Sequence, residues 1–165
     1  MNIRVAGIVN DSIVDGPGLR LTVFTQGCPH RCPGCHNPQS HDFDGGEMRS
    51  VESILDIARD NILLDGITLS GGEPFCQAAA CAAIAKGAHD AGLNVWCYTG
   101  YTFESLLSGS EEWLNLLRNI DVLIDGPFIL EHKTLNAQFR GSSNQRILDV
   151  PASLEAGGPI FSPYN

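Results

Sequence analysis

The chain has 165 residues, with 10 basic against 19 acidic side chains and a formal net charge of −9 at neutral pH. That length is most simply one domain, able to bury roughly 70% of its unfolded surface. The acidic balance excludes a general nucleic-acid binder and a protein that docks on anionic lipid, both of which need clustered Lys and Arg.

In chain order, Met1 to Asn10 carries Arg4 but no apolar core of signal-peptide length. No apolar run anywhere reaches the ~18 residues of a membrane span. Asp15-Gly16-Pro17-Gly18 reads as a turn. Leu19 to Thr25 is β-branched and apolar and reads as a strand, running into a loop dense in Cys, Pro and Gly from Gln26 to about Asp44. Val51 to Arg59 places Ile54, Leu55 and Ala58 at helical spacing, with Ser50 as N-cap. Gly66 to Leu69 is a short apolar strand that ends in Ser70-Gly71-Gly72-Glu73-Pro74. The alanine-rich stretch from Gln77 to Ala91 reads as a helix stopped by Gly92. Asn94 to Tyr98 is a strand, and Thr102 caps a helix running to about Leu117. Val122 to Ile124 is a strand closed by Asp125-Gly126-Pro127, and Arg146 to Val150 is one more. The tail from Pro151 to Asn165, with Gly157, Gly158, Pro159 and Pro163, is expected to be irregular.

Alternating apolar strands and helices define an α/β domain with a largely parallel sheet. At roughly 30 residues per βα unit the chain holds about five units, short of the ~250 residues of a closed eight-fold barrel. The expected fold is therefore a partial parallel βα barrel, open on one side, forming a single domain over residues 1–165. Its distinctive segments all follow strands, and ligands bind at that edge of a parallel sheet.

Six cysteines without a secretion signal point to a reducing, cytoplasmic setting in which clustered thiols bind metal or do chemistry. Cys28-Pro29-His30-Arg31-Cys32-Pro33-Gly34-Cys35 spaces three of them as C-x3-C-x2-C. Pro29, Pro33 and Gly34 oppose a helix, so a loop wrapped around a compact inorganic centre accounts for both the spacing and the breakers. Three thiolates fall one short of closing a tetrahedral zinc site or an iron–sulfur cubane. Either His30 or His36 completes a zinc knuckle, or one iron stays open to a substrate.

This loop after the first strand, with Gly-Gly-Glu-Pro after the second, resembles the radical S-adenosylmethionine enzymes. Asp15-Gly16-Pro17-Gly18-Leu19-Arg20, Cys35-His36-Asn37-Pro38 and Arg140-Gly141-Ser142-Ser143-Asn144-Gln145 narrow the resemblance to glycyl-radical-enzyme activases. Within these, the chain is most similar to those serving the anaerobic (class III) ribonucleoside-triphosphate reductase. The resemblance implies one [4Fe–4S] cluster on Cys28, Cys32 and Cys35, with S-adenosylmethionine chelating the fourth iron. One electron from the reduced cluster would break the S–C5′ bond, and the 5′-deoxyadenosyl radical would take hydrogen from a backbone glycine of the partner. No side-chain acid or base is then required. The implied partners are a glycyl radical enzyme and a flavodoxin- or ferredoxin-like electron donor, with no nucleic acid and no membrane. Activation of a pyruvate formate-lyase type enzyme, a small-molecule radical enzyme and a zinc-binding adaptor stand as alternatives.

The remaining candidates each have an ordinary explanation beside the functional one. Many superfamily members place an aromatic residue before the third cysteine; here Gly34 stands there, so backbone from Gly34 through Cys35 to His36 is implied to hold adenine. Ser70, Gly71, Gly72 and Glu73 are implied to grip the methionyl amino group, or else form a plain turn with Glu73 starting a helix. Asp125 is placed to meet a ribose or a cation, or is a turn former. Thr99 and Tyr98 are weaker versions of that case. Arg140 and Ser142 to Gln145 line the nucleoside or the partner, or form a polar hairpin. The family pattern sets Asp15 to Arg20 beside the cluster. Cys76, Cys81 and Cys97 read as structural, and His41, His89 and His132 as isolated surface or core residues.

Overall fold

Seven strands form one sheet in a computed structural model of the chain, which describes residues 1–165. In chain order they are β1 (Asn2–Ser12), β2 (Arg20–Thr25), β3 (Glu47–Ser50), β4 (Gly66–Gly71), β5 (Asn94–Tyr98), β6 (Val122–Asp125) and β7 (Arg146–Asp149). In space the order is β3-β1-β2-β4-β5-β6-β7. The central strands β2, β4, β5 and β6 are mutually parallel. Strands β1, β3 and β7 pair antiparallel. The two outer strands do not meet, so this is the open, incomplete α/β barrel expected, with antiparallel flanks added to the parallel centre.

The flanking strands β1 and β3 carry no sequence signal, for a physical reason. Register shifts between Val5 and Gly7 and between Val9 and Ser12 break the alternation of β1. Strand β3 is a polar edge held by backbone pairing to β1 rather than by apolar burial.

The helices are α1 (Val51–Asp60), α2 (Ala78–Asp90), α3 (Phe103–Leu107), α4 (Glu111–Arg118) and α5 (Val150–Ala156). Ser50 caps α1, accepting from the Ser53 N–H at 3.0 Å. The single helix expected from Thr102 to Leu117 is two, α3 and α4, because a second cap intervenes. Ser110 Oγ accepts from the Trp113 N–H at 3.2 Å, and a side chain at Gly109 would lie 2.4 Å from the Trp113 ring. The tail is also more ordered than expected. Asp149 caps α5 (3.1 Å from the Ala152 N–H), and Gly157, at φ +73°, terminates it. No helix is long and apolar enough to cross a membrane.

Alternation along the strands sorts the core. Leu21, Val23, Ile67, Leu69, Val95, Cys97, Leu123 and Leu148 face the helices and pack in one cluster with Ile54, Ile84, Leu106, Leu117 and Val150. The opposite face carries Trp96, Ile124 and Ile147, covered by Phe139 and Tyr164, whose rings lie 5.2 and 5.3 Å from that of Trp96.

The Asp15–Arg20 segment corrects its expected place beside the cysteine loop. Arg20 opens β2, whereas Cys28 follows its end, and six residues at ~3.3 Å each put about 20 Å between them. Arg20 is fully buried. It donates to Thr68 Oγ1 (2.7 Å), Asn94 Oδ1 (2.7 Å) and the carbonyls of Pro17 and Ile67 (3.0 Å each). Asp15 accepts from Thr22 Oγ1 at 3.0 Å. The segment plugs the far end of the sheet.

Candidate metal centre and cofactor cleft

The loops that follow β2, β4, β5 and β6 ring a cleft of about 790 Å³, counting space open to solvent. Its wall holds Cys28, Cys32, Cys35, His36, Ser70, Gly71, Gly72 and Thr99. Segments as far apart in sequence as Cys28 and Gln145 thus meet because parallel strands deliver their loops to one edge. Gly34, Glu73, Asp125 and Arg140 are not on that wall.

The cysteine segment is a loop, as its prolines require. Arg31 and Gly34 take positive φ (48° and 76°). The Gly27 N–H donates to the Ser40 carbonyl (2.7 Å), the Cys28 N–H to that of His41 (3.1 Å), and the Cys35 N–H to that of Cys32 (3.1 Å). The Asn37 N–H points at Cys35 Sγ, 3.4 Å away. All six cysteines are free thiols. Cys28 is buried and its desolvation pushes the thiol above its ordinary range. No three His, Cys, Asp or Glu side chains gather about one point as the ligands of a single ion do. Soft thiolate donors suit iron and sulfide. The cleft wall also contains His41, whose Nε2 is buried without a hydrogen-bond partner. An orphaned nitrogen beside three thiols fits a site built around a bound group.

Glu73 corrects its implied role as a grip on a ligand. Its carboxylate is fully buried and turned into the protein. Oε2 accepts from the Phe75 N–H (3.0 Å), Oε1 from the Gly100 N–H (2.8 Å) and from His30 Nε2 (2.7 Å), and Thr99 Oγ1 lies 2.9 and 3.0 Å from the two oxygens. His30 is thereby occupied as well, and the His36 ring packs on Phe128 at 5.1 Å.

Asp125 likewise faces inward. Strand alternation puts it on the helix side with Leu123, where it accepts from the Phe103 N–H (2.7 Å) and from Arg146 Nε (3.0 Å). That pairing holds the Arg146 guanidinium well above its ordinary range. Asp125→Ala should cost about 2–4 kcal/mol of stability, allowing for the partial exposure of Arg146. A lowered urea midpoint with normal iron uptake by the folded fraction is the expected result. Lost iron uptake in the folded protein would restore Asp125 to the cleft. Arg140 reaches Asn165 Oδ1 (3.3 Å) and the Gln145 carbonyl (3.4 Å), and Gly34 packs so closely on Leu130 that a Cβ would lie 2.8 Å from it.

Gln145, from the segment expected along the nucleoside or the partner, lines the cleft, and so do His41 and Phe128, which were not singled out there. His41 arrives through the backbone pairing of its carbonyl to Cys28, a contact without local signature. Phe128 follows the Asp125-Gly126-Pro127 turn, which was the available signal.

Residues 14–148 match the family model described as a 4Fe-4S single cluster domain. The anaerobic ribonucleoside-triphosphate reductase-activating protein of Salmonella typhi is 36% identical over 141 residues, covering 81% of this chain and 90% of that protein. The protein of that name from Vibrio cholerae is 35% identical over 143 residues (82% and 90%). That of Enterobacteria phage T4 is 30% identical over 141 residues (81% and 86%). Among solved structures, QueE from Escherichia coli aligns over 62% of this chain and 54% of its own, with a TM-score of 0.48 and 17% identity.

Proposed function

The chain belongs to the family of anaerobic ribonucleoside-triphosphate reductase-activating proteins and contains their 4Fe-4S domain, and from that premise we propose that it is a radical S-adenosylmethionine activase. Residues 1–165 work as one cytoplasmic domain that installs a glycyl radical on the anaerobic ribonucleotide reductase. The observation that carries the reading is the shared wall of one cleft, lined both by three free thiols and by Ser70-Gly71-Gly72.

Bound there, a reduced [4Fe–4S] cluster with S-adenosylmethionine supplies one-electron cleavage of the sulfonium and, through the nucleoside, hydrogen abstraction from a glycine. Cys28, Cys32 and Cys35 hold the cluster as thiolates. The Asn37 N–H, aimed at Cys35 Sγ, lies where it tunes a cluster's potential. Carbonyls of the Ser70–Gly72 turn would accept from the ligand's ammonium, and Gly71 and Gly72 bring no side chain to compete for the space. His36 and Phe128, whose rings pack together at the cleft wall, would meet the nucleoside. The cleft opens to solvent, which suits a glycine delivered on a protein loop. A flavodoxin- or ferredoxin-like protein supplies the electron. Positioning of the sulfonium, rather than proton transfer, sets the rate.

Anaerobic reconstitution with iron and sulfide, reduction, and assay for 5′-deoxyadenosine and for a glycyl radical test this reading. The nucleoside should form on reduction, with a stable protein radical only when the reductase is present. A colourless protein that takes up zinc alone and forms no 5′-deoxyadenosine would overturn it.

A further inference from the structure

The proposed chemistry gives no task to the His30–Glu73 pair, yet the pair stands at the centre of the site. One buried carboxylate ties together the loops after β2, β4 and β5. His30 Nε2 lies 2.7 Å from Oε1 across 43 residues of sequence, and Thr99 and the Gly100 N–H reach the same group from β5. The imidazole is wedged in place. A Cβ on Gly100 would lie 2.5 Å from it, and the Tyr101 ring stands edge-on at 4.5 Å.

The loop has little else to hold it. Pro29 and Pro33 have no N–H to donate. Between Cys28 and Cys32, His30 makes the one side-chain hydrogen bond. Its place also matters for the sulfur, because the backbone of His30 and Arg31 offsets part of the rise that burial imposes on the Cys28 thiol. Backbone N–H groups at a ligand sulfur stabilise a reduced cluster and raise its potential.

We propose that Glu73 and His30 are positioning residues: a latch in which Glu73, acting through His30, holds the Cys28–Cys35 loop in the shape that receives its iron–sulfur group. The inference rests on the reading of that loop as a ligand loop, but its main test needs no metal.

In the metal-free chain, alkylation of each cysteine is followed by mass spectrometry. His30→Leu should label Cys28 about tenfold faster, equivalent to about 1.4 kcal/mol. His30→Gln keeps an N–H for Glu73 and should stay near wild type. Gly100→Ala, which displaces the imidazole by a change outside the cysteine loop, should match His30→Leu. The buried thiols Cys81 and Cys97 should stay protected throughout. After reconstitution, the cluster in His30→Leu should show a lower reduction potential than wild type. The latch is refuted if Cys28 labels at the wild-type rate in both His30→Leu and Gly100→Ala, or if Cys81 and Cys97 accelerate in step with it. Failure of the wild type to take up iron would refute the ligand-loop reading instead, and the labelling rates would still judge the latch.

Discussion

Cys32→Ala is expected to lose bound iron and 5′-deoxyadenosine formation together, the latter by more than about 100-fold. Removing a mere outer-shell partner of a metal ligand already costs about 10–100-fold, and here one of only three thiolates goes. The remaining pair, Cys28 and Cys35, cannot retain a cubane against loss of a corner. Cys97→Ala provides the contrast. Cys97 is fully buried against the helices, so its loss leaves a small cavity and a modest drop in stability, with iron and product unchanged. Cys76 supplies a sharper control, since it is an exposed free thiol whose partial burial pushes it up to about 11, with Glu73 and Cys28 adding to the rise. Iron and labile sulfide per chain, the spectrum of the reduced protein and product yield are measured for all three variants. Wild-type iron and product in Cys32→Ala, with loss of both in Cys76→Ala, would move the third ligand to Cys76.

The second large effect is expected from the glycine pair after β4. Gly71 sits at φ +92°, and a Cβ there would lie 2.4 Å from the Thr25 nitrogen and 2.5 Å from the Phe24 carbonyl carbon. At Gly72 a Cβ would lie 2.4 Å from the Gly27 carbonyl oxygen, one residue before the first ligand cysteine, and 3.0 Å from that of Ser40. All these neighbours are backbone atoms and have no side-chain freedom with which to yield. Absence of side chains lets the turn lie directly on the start of the cysteine loop, where the Gly72 N–H donates to Thr25 (2.7 Å) and the Glu73 N–H to Gly27 (2.9 Å). Gly71→Ala and Gly72→Ala should each lower stability by about 2–4 kcal/mol, the range of backbone strain and overpacking, and abolish product formation in the folded fraction. Gly158→Ala, where a Cβ meets nothing within 4 Å, should stay within about 0.5 kcal/mol of wild type. Urea midpoints and turnover at matched folded fraction decide the matter. Wild-type values for both in Gly71→Ala and Gly72→Ala would show that the turn neither touches the ligand nor seats the loop.

Several parts of this site were legible before any coordinates. The C-x3-C-x2-C loop, the glycines after β4 and Thr99 all come to one cleft, because each follows a parallel strand and such strands end at a common edge. The strands β2, β4, β5, β6 and β7 and the helices α1 and α2 were readable from apolar spacing and caps. Acidic residues at the same edge misled. Glu73 and Asp125 sit at strand ends where a carboxylate can turn to the cleft or into the protein, and nothing local chooses between these. The choice belongs to His30, Gly100 and Arg146, which are brought up from 43, 27 and 21 residues away. His41 was passed over for the converse reason: its cleft position depends on a backbone pairing with Cys28.

Residue order alone therefore sets what acts over a few positions: thiol spacing, chain breakers, caps, and the alternation that builds an open α/β sheet. Whether a buried polar group serves the ligand or the scaffold is settled later, when distant segments pack. A desolvated carboxylate must find donors, and which donors are within reach is a property of the assembled sheet.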